Sequence, residues 1–285
     1  MQNSVCSYQR GGRKMIEYLK QQIASESTGE KKVNRLREVL QLFCLKMFHD
    51  KGYYSKMVFV GGTALRVIYD TRRFSEDLDF SVTEVKGYDF SEMISALTRE
   101  FKLVGLEMAS KPKTVKTVHS SMLKFPGLLK EMGLSALASQ ILSIKIDVDS
   151  NPPKGGRVES TLINKLYTFT IAHYDLSSLY ATKLHACLFR TYTKGRDFYD
   201  LVWYLGKKII PNYALLNNAI TQTQGTHPDL GPANIKDYLL KNLETVDFAA
   251  IKKDVERFLE DKNELALLNA DVISKGIVDV FGNVK

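Results

Sequence analysis

The sequence predicts an α+β protein, an α/β lobe followed by a mainly helical one, and three observations carry that prediction. Strand-like runs, either continuously apolar or alternating with a period of two, fall at 57–60, 77–81 and 141–149. The stretch Ser-Asn-Pro-Pro-Lys-Gly-Gly at 150–156 is the sharpest compositional break in the chain, because consecutive prolines and glycines exclude the interior of helix and strand alike. Beyond it, apart from one strand-like run at 166–173, the patterns are helical. The expected division is an N-terminal arm over 1–32, an α/β lobe over 33–155 and a helical lobe over 156–285.

Taken in order, residues 1–30 are polar and broken at Gly11-Gly12 and 25–32, so a loosely held arm with a helix over 14–24 is expected. Leu36, Val39, Leu40, Phe43, Cys44 and Met47 recur at helical spacing and predict an amphipathic helix over 33–49, ended by Gly52. A short buried strand over 57–60 precedes Gly61-Gly62, where the absence of side chains lets the backbone turn and approach a ligand closely. Thr63 reads as the N-cap of a helix over 64–69, whose first free N–H groups would meet an anion. In the strand Asp77-Leu78-Asp79-Phe80-Ser81, the period of two puts both carboxylates on one face and Leu78 and Phe80 behind. Helix is expected over 90–101, strand over 102–108 and 115–125, and partial helix over 126–140. In the 141–149 strand, Lys145, Asp147 and Asp149 share a face. After the break, Ser177 or Ser178 would cap a helix carrying Lys183, Ala186, Cys187 and Arg190 on one stripe, and a further helix starts near Gly195-Arg196-Asp197. Helical segments, interrupted at Pro211, 226–232 and 275–276, complete the chain.

Two carboxylates on one strand face beside a glycine-rich helix start can hold Mg²⁺ and a triphosphate together. Gly61-Gly62-Thr63-Ala64-Leu65 followed by Arg73-Phe74-Ser75-Glu76-Asp77-Leu78-Asp79-Phe80 resembles the DNA polymerase β-like nucleotidyltransferases, and more narrowly the AbiEii/AbiGii-type toxin nucleotidyltransferases. The segments 179–183 and 196–201 resemble the same family's pattern. The resemblance implies a polymerase β-like α/β lobe with an NTP in the cleft before the helical lobe, and two Mg²⁺ ions held by Asp77, Asp79 and a third carboxylate. Asp147 fits that place, with Asp149 the alternative on the same face. Gly61, Gly62 and Thr63 would cradle phosphate, Lys183 would bind it and neutralise the departing pyrophosphate, and Asp197 would be a catalytic or metal-proximal acid. Arg66 and Arg73 would add cations or serve the structure. Read without the resemblance, Lys183 is a solvated helix lysine and Asp197 a charge complementing the helix dipole.

The net charge of +8 and pI near 9.2 favour a polyanionic partner. Together with the resemblance this points to NMP transfer onto an RNA 3′ end such as that of tRNA, by the toxin of a bacterial type IV-like toxin–antitoxin pair, with a cognate antitoxin as partner. Lys111, Lys113, Lys116 and Lys124, with Lys194 and Arg196, would hold the RNA phosphates. Two alternatives stay open: transfer to a protein or small-molecule hydroxyl, and a non-catalytic RNA- or partner-binding protein of the same fold. No apolar run reaches the roughly 20 residues needed to cross a bilayer, and no signal-peptide region opens the sequence, so a cytoplasmic protein is expected. Cys6, Cys44 and Cys187 are widely spaced, which excludes a disulfide framework or a zinc site, and the latter two read as buried free thiols.

Overall fold

The alternation along 77–82 and 142–149 is that of strands with one buried and one open face, and both strands form. The structure, a computed structural model, describes residues 12–137, 139–190 and 192–282; what the sequence suggests for residues 1–11, Cys6 included, lies outside them. In order, the elements are α1 (Gly12–Ile23), α2 (Gly29–Asp50), β1 (Met57–Val60), α3 (Gly61–Tyr69), β2 (Asp77–Val82), α4 (Phe90–Leu103), β3 (Val118–Phe125), α5 (Leu128–Glu131), β4 (Leu142–Asp149), β5 (Val158–Asn164) and β6 (Thr168–Tyr174). The helices α6 (Leu176–Phe189), α7 (Gly195–Gly206), α8 (Tyr213–Gln224), α9 (Ile235–Leu243), α10 (Phe248–Val255) and α11 (Ala270–Phe281) follow. The architecture is therefore α+β, a sheet with helices and then a helical region. Two units emerge: Met1–Phe59, Phe74–Asn151 and Ser160–Ala172 form one, and Val60–Arg73, Pro152–Glu159 and His173–Lys285 the other.

The six-stranded sheet has the order β3-β4-β2-β1-β6-β5, and the first unit holds β2, β3 and β4 whole and most of β1, β5 and β6. β2 and β4 pair in parallel, and β3 and β4 antiparallel. One face buries Leu78, Phe80, Leu123, Phe125, Ile144, Ile146 and Val148. Against it lies α2, N-capped by Thr28, which accepts from Lys31 N–H, with α4, N-capped by Asp89, beside it. Phe48 and Phe59 meet Phe80 at ring-centroid distances of 5.4 and 5.2 Å, and Phe101 meets Phe43 and Phe125 at 4.7 and 5.0 Å. All of these rings but Phe43 are buried, and each buried one contributes roughly 1.5–3 kcal/mol. The opposite face carries Asp77, Asp79, Lys145 and Asp147, none of them fully buried.

Several local expectations are corrected. Residues 14–23 do not trail as a loose arm: Met15, Ile16, Leu19 and Ile23 are buried, and α1 packs on α2. The 102–108 strand does not form, because α4 continues to Leu103, and the following segment touches the sheet only through isolated bridges, Ala109 to Lys124 and Lys113 to Ser120. The helix after β1 begins at Gly61, with Val60 as its N-cap; Thr63 is buried inside the first turn and is not the cap. Asp175, not Ser177 or Ser178, caps α6, accepting from Ser178 N–H at 2.7 Å. Strand β5 went unseen because its residues are mostly exposed and carry no apolar alternation. Cys44 is buried and Cys187 half-buried, both free thiols, and burial pushes each thiol pKa up.

Candidate active site

In the first unit the β2–β4 register sets the chemistry. Asp77 stands opposite Lys145 and Asp79 opposite Asp147, while Asp149 stands opposite Ser81. Parallel pairing with a side-chain period of two therefore gathers Asp77, Asp79, Lys145 and Asp147 on one face. Asp147 accepts from Ser120 Oγ at 2.7 Å and from Lys145 Nζ at 2.5 Å. Burial works against the Lys145 ammonium, but the hydrogen bond to Asp147 and the charges of Asp147, Asp77 and Asp79 outweigh it and raise its pKa above the usual lysine value. Asp149 instead accepts from Asn151 N–H, in a turn at the strand end. Entry to β2 is fixed from α2: Gln41 donates to Ser75 O at 3.2 Å, and Arg37, which also donates to Ser143 O, lies 3.6 Å from Glu76.

In the second unit, Gly61 adopts φ +76°, a conformation that favours glycine, and α3 starts there on a residue with no side chain able to cap it. A Cβ on Gly62 would collide with the Arg73 guanidinium. That guanidinium, 1% exposed, grips Asp200 in two bonds, from Nε at 2.6 Å and from Nη2 at 2.5 Å. Lys183 Nζ lies 2.8 Å from Asp197 and 2.8 Å from Asp200, and Arg190 closes the chain on Asp197 at 2.5 Å. For Asp197, burial would raise the pKa, but Lys183, Arg190 and Arg73 overcome it and hold the pKa below the ordinary carboxylate value. For Lys183, burial opposes the charge and the two carboxylates prevail, raising the pKa. Three cations around two carboxylates leave the cluster one positive charge in excess, beside the Gly62 turn. Arg66 donates to Thr71 O at 2.8 Å and to Glu260 at 2.6 Å.

Asp77, Asp79 and Asp147 thus share one face of the first unit, and Gly61, Gly62, Thr63, Lys183 and Asp197 belong to the second. Sequence reading did not single out Lys145, although Lys145-Ile146-Asp147 put it on the face of its acid. Nor did it assign Asp200, which shares a helix face with Asp197 three residues away. Among the described residues, no three His, Cys, Asp or Glu side chains gather closely enough to hold a metal ion by themselves. The donor set nevertheless suits one: the carboxylates of Asp77, Asp79 and Asp147 are hard oxygen ligands, already near a cation in Lys145, and Mg²⁺ is commonly held by one or two carboxylates plus substrate phosphates. No described helix is long and apolar enough to cross a membrane. In the second unit, Lys194 lies 5.9 Å from the Tyr192 ring centroid and the Arg196 guanidinium 4.3 Å from that of Phe258.

Residues 45–270 match the model of the family described as nucleotidyl transferase AbiEii toxin, type IV TA system. No curated protein matches the chain. Among solved structures, the chain is similar to JHP933 from Helicobacter pylori, with a TM-score of 0.51 and 19% identity over 85% of this chain and 92% of that one. It is similar also to a "putative nucleotidyltransferase" from H. pylori, again with a TM-score of 0.51 and 19% identity, over 87% of this chain and 96% of that one. At such identity the two structures speak for the fold, and they agree with the α+β architecture. The family match spans well over half of the sequence, so the chain belongs to the AbiEii nucleotidyl transferase toxins of type IV toxin–antitoxin systems.

Proposed function

We propose that this toxin moves a nucleoside monophosphate from an NTP to a hydroxyl at the 3′ end of an RNA, tRNA among the candidates, with two Mg²⁺ ions. The observation that carries the reading is the β2–β4 register, which sets Asp79 opposite Asp147 with Asp77 on the same face. Family membership implies the NTP substrate and an antitoxin partner.

In the reaction the acceptor oxygen attacks the α-phosphorus, the bond from that phosphorus to the bridging oxygen breaks, and pyrophosphate leaves. Bound magnesium would polarise the phosphate and lower the pKa of the attacking hydroxyl. Asp77, Asp79 and Asp147 would hold it, and Asp147 would accept the hydroxyl proton. The first N–H groups of α3, at Gly61, Gly62 and Thr63, would receive phosphate oxygens, supported by the excess positive charge of the Arg73–Lys183–Arg190 cluster. Lys183 would meet the charge that develops on the leaving pyrophosphate while Asp197 and Asp200 fix its ammonium in place. Lys111, Lys113, Lys116 and Lys124 would meet RNA phosphates, so binding should weaken steeply with salt. The test is incubation with each labelled NTP, Mg²⁺ and total cellular RNA. Label on RNA, lost without Mg²⁺ and in Asp77→Ala, is expected. Label on protein or on a small molecule overturns the acceptor, and no label anywhere favours a binding protein.

A further inference from the structure

A concave feature adjoins the acidic face and lies wholly within the first unit. After α4, residues 106–113 run along the edge strand β3. Ala109 exchanges backbone hydrogen bonds of 2.9 and 2.8 Å with Lys124, and Lys113 exchanges 2.8 and 2.9 Å bonds with Ser120. The two bridges leave Lys111 between them, and a pocket of about 460 Å³ opens there, lined by Lys111, Lys113, Lys124, Lys145, Ser120 and Met122 among others. Among the described residues, no acidic side chain lines it. Lys111, Lys113 and Lys124 make no ion pair or side-chain hydrogen bond among the described residues, so their charges are not neutralised by the fold. The wall nearest the acids is shared, since Ser120 and Lys145 line the pocket and also hold Asp147.

We infer that this pocket binds the sugar-phosphate backbone of a single-stranded acceptor, next to the nucleotide that carries the reacting hydroxyl. The inference rests on the proposed reaction and gives it an acceptor subsite. Three unpaired lysines and serine hydroxyls suit phosphate oxygens. Lysine acts as a flexible point charge without the fork geometry that reads base edges, so recognition is of backbone and not of sequence. Met122 projects from the same strand face, 38% exposed, opposite Lys145. A bare phosphate has no use for that apolar surface, whereas a nucleotide can lay its base on it. The volume also exceeds what a single phosphate fills and falls in the range of sites for larger ligands.

The test uses the full chain and the double variant Lys111→Ala/Lys113→Ala, which removes exposed, unpaired charges and leaves the acidic face intact. A fluorescent single-stranded oligoribonucleotide is titrated by anisotropy over a range of KCl, NTP affinity is measured separately, and inorganic pyrophosphate is added as competitor. Oligonucleotide affinity is expected to fall about tenfold, and the slope of log affinity against log salt to shrink by about 1.4, two contacts at about 0.7 each. NTP affinity should hold, and in transfer assays the KM for the oligonucleotide should rise with kcat unchanged. Unchanged oligonucleotide binding overturns the inference. So does pyrophosphate that binds the unaltered protein more tightly than the variant without displacing the oligonucleotide, because the site then belongs to the leaving group. Label transfer to RNA by the unaltered protein separates the two readings. If it is present while binding ignores the lysines, only the pocket assignment falls; if it is absent, the acceptor reading falls and the pocket's role with it.

Discussion

At the scale of single residues, the acidic face is a place where side chains serve chemistry and not packing. Asp77 and Asp79 lie two residues apart on one strand face, Asp147 stands opposite Asp79, and the face relies on the charge of Lys145. Asp77→Ala and Asp79→Ala should each abolish transfer while changing unfolding free energy by no more than about 0.5 kcal/mol, since neither side chain packs in the core. Turnover and thermal unfolding measured on the same samples check both halves; wild-type turnover would remove the metal assignment. Gly62 is the contrary case, a residue whose role is steric. Its missing Cβ leaves room for the Arg73 guanidinium, which cannot swing aside without releasing Asp200. Gly62→Ala should therefore cost about 1–3 kcal/mol, as overpacking does, read by denaturant unfolding. The carboxylate pair and the glycine pair could be read from sequence because spacing alone puts them on a strand face and at a turn. The partner of Gly62 could not, since Arg73 meets it only in three dimensions.

At the scale of elements, the second unit is tied by a clasp that joins the 70–73 segment to α6 and α7. Arg73 and Lys183 converge on Asp200, and the 259–264 segment closes from outside: Glu260 N–H donates to Arg72 O, Glu264 lies 3.4 Å from Arg72, and Tyr199 donates its hydroxyl to Glu264 at 2.5 Å. Asp200 is fully buried, so Asp200→Ala would leave two buried cations short of a partner. Removing one member of a buried pair costs about 3–5 kcal/mol, and Asp200→Ala should lose that much in chemical denaturation. A loss within experimental error would mean that Arg73 and Lys183 find other partners. Strong periodicity made α2, α4, β2 and β4 readable in advance. The ends of elements, such as the α3 onset at Gly61 and the α6 cap at Asp175, depend on which backbone groups find partners, which periodicity does not encode. The 259–264 segment, Leu-Glu-Asp-Lys-Asn-Glu, reads as an ordinary charged surface stretch and gave no sign that it braces Arg66 and Arg72.

At the scale of the whole molecule, charge is distributed by purpose: a net +8 overall, unpaired lysines beside the acidic face, and a buried network in the second unit whose ionisation is tied to folding. That network predicts how stability depends on pH. The Asp197 pKa is lowered in the folded state, so its contribution is complete above the unfolded value of about 3.9 and is lost as pH falls through the folded value. The Lys183 pKa is raised, so its contribution is complete below the unfolded value of about 10.4 and is lost as pH rises through the folded value. Between those limits the pair contributes a constant amount. The measurement is the difference in unfolding free energy between the unaltered protein and Asp197→Asn, followed against pH. It should be flat from about pH 5 to 9 and shrink only below about pH 3.9, because there both proteins carry a neutral side chain at position 197. A difference that shrank already near neutrality would place the titrating group elsewhere. His185 is the first group to consider: burial and Arg190 lower its pKa, so it favours the folded state above about pH 6.5 and yields that contribution as pH falls below it. Repeating the series in a His185→Gln background separates the two, since the acid limb assigned to Asp197 must survive there while any loss near neutrality must vanish.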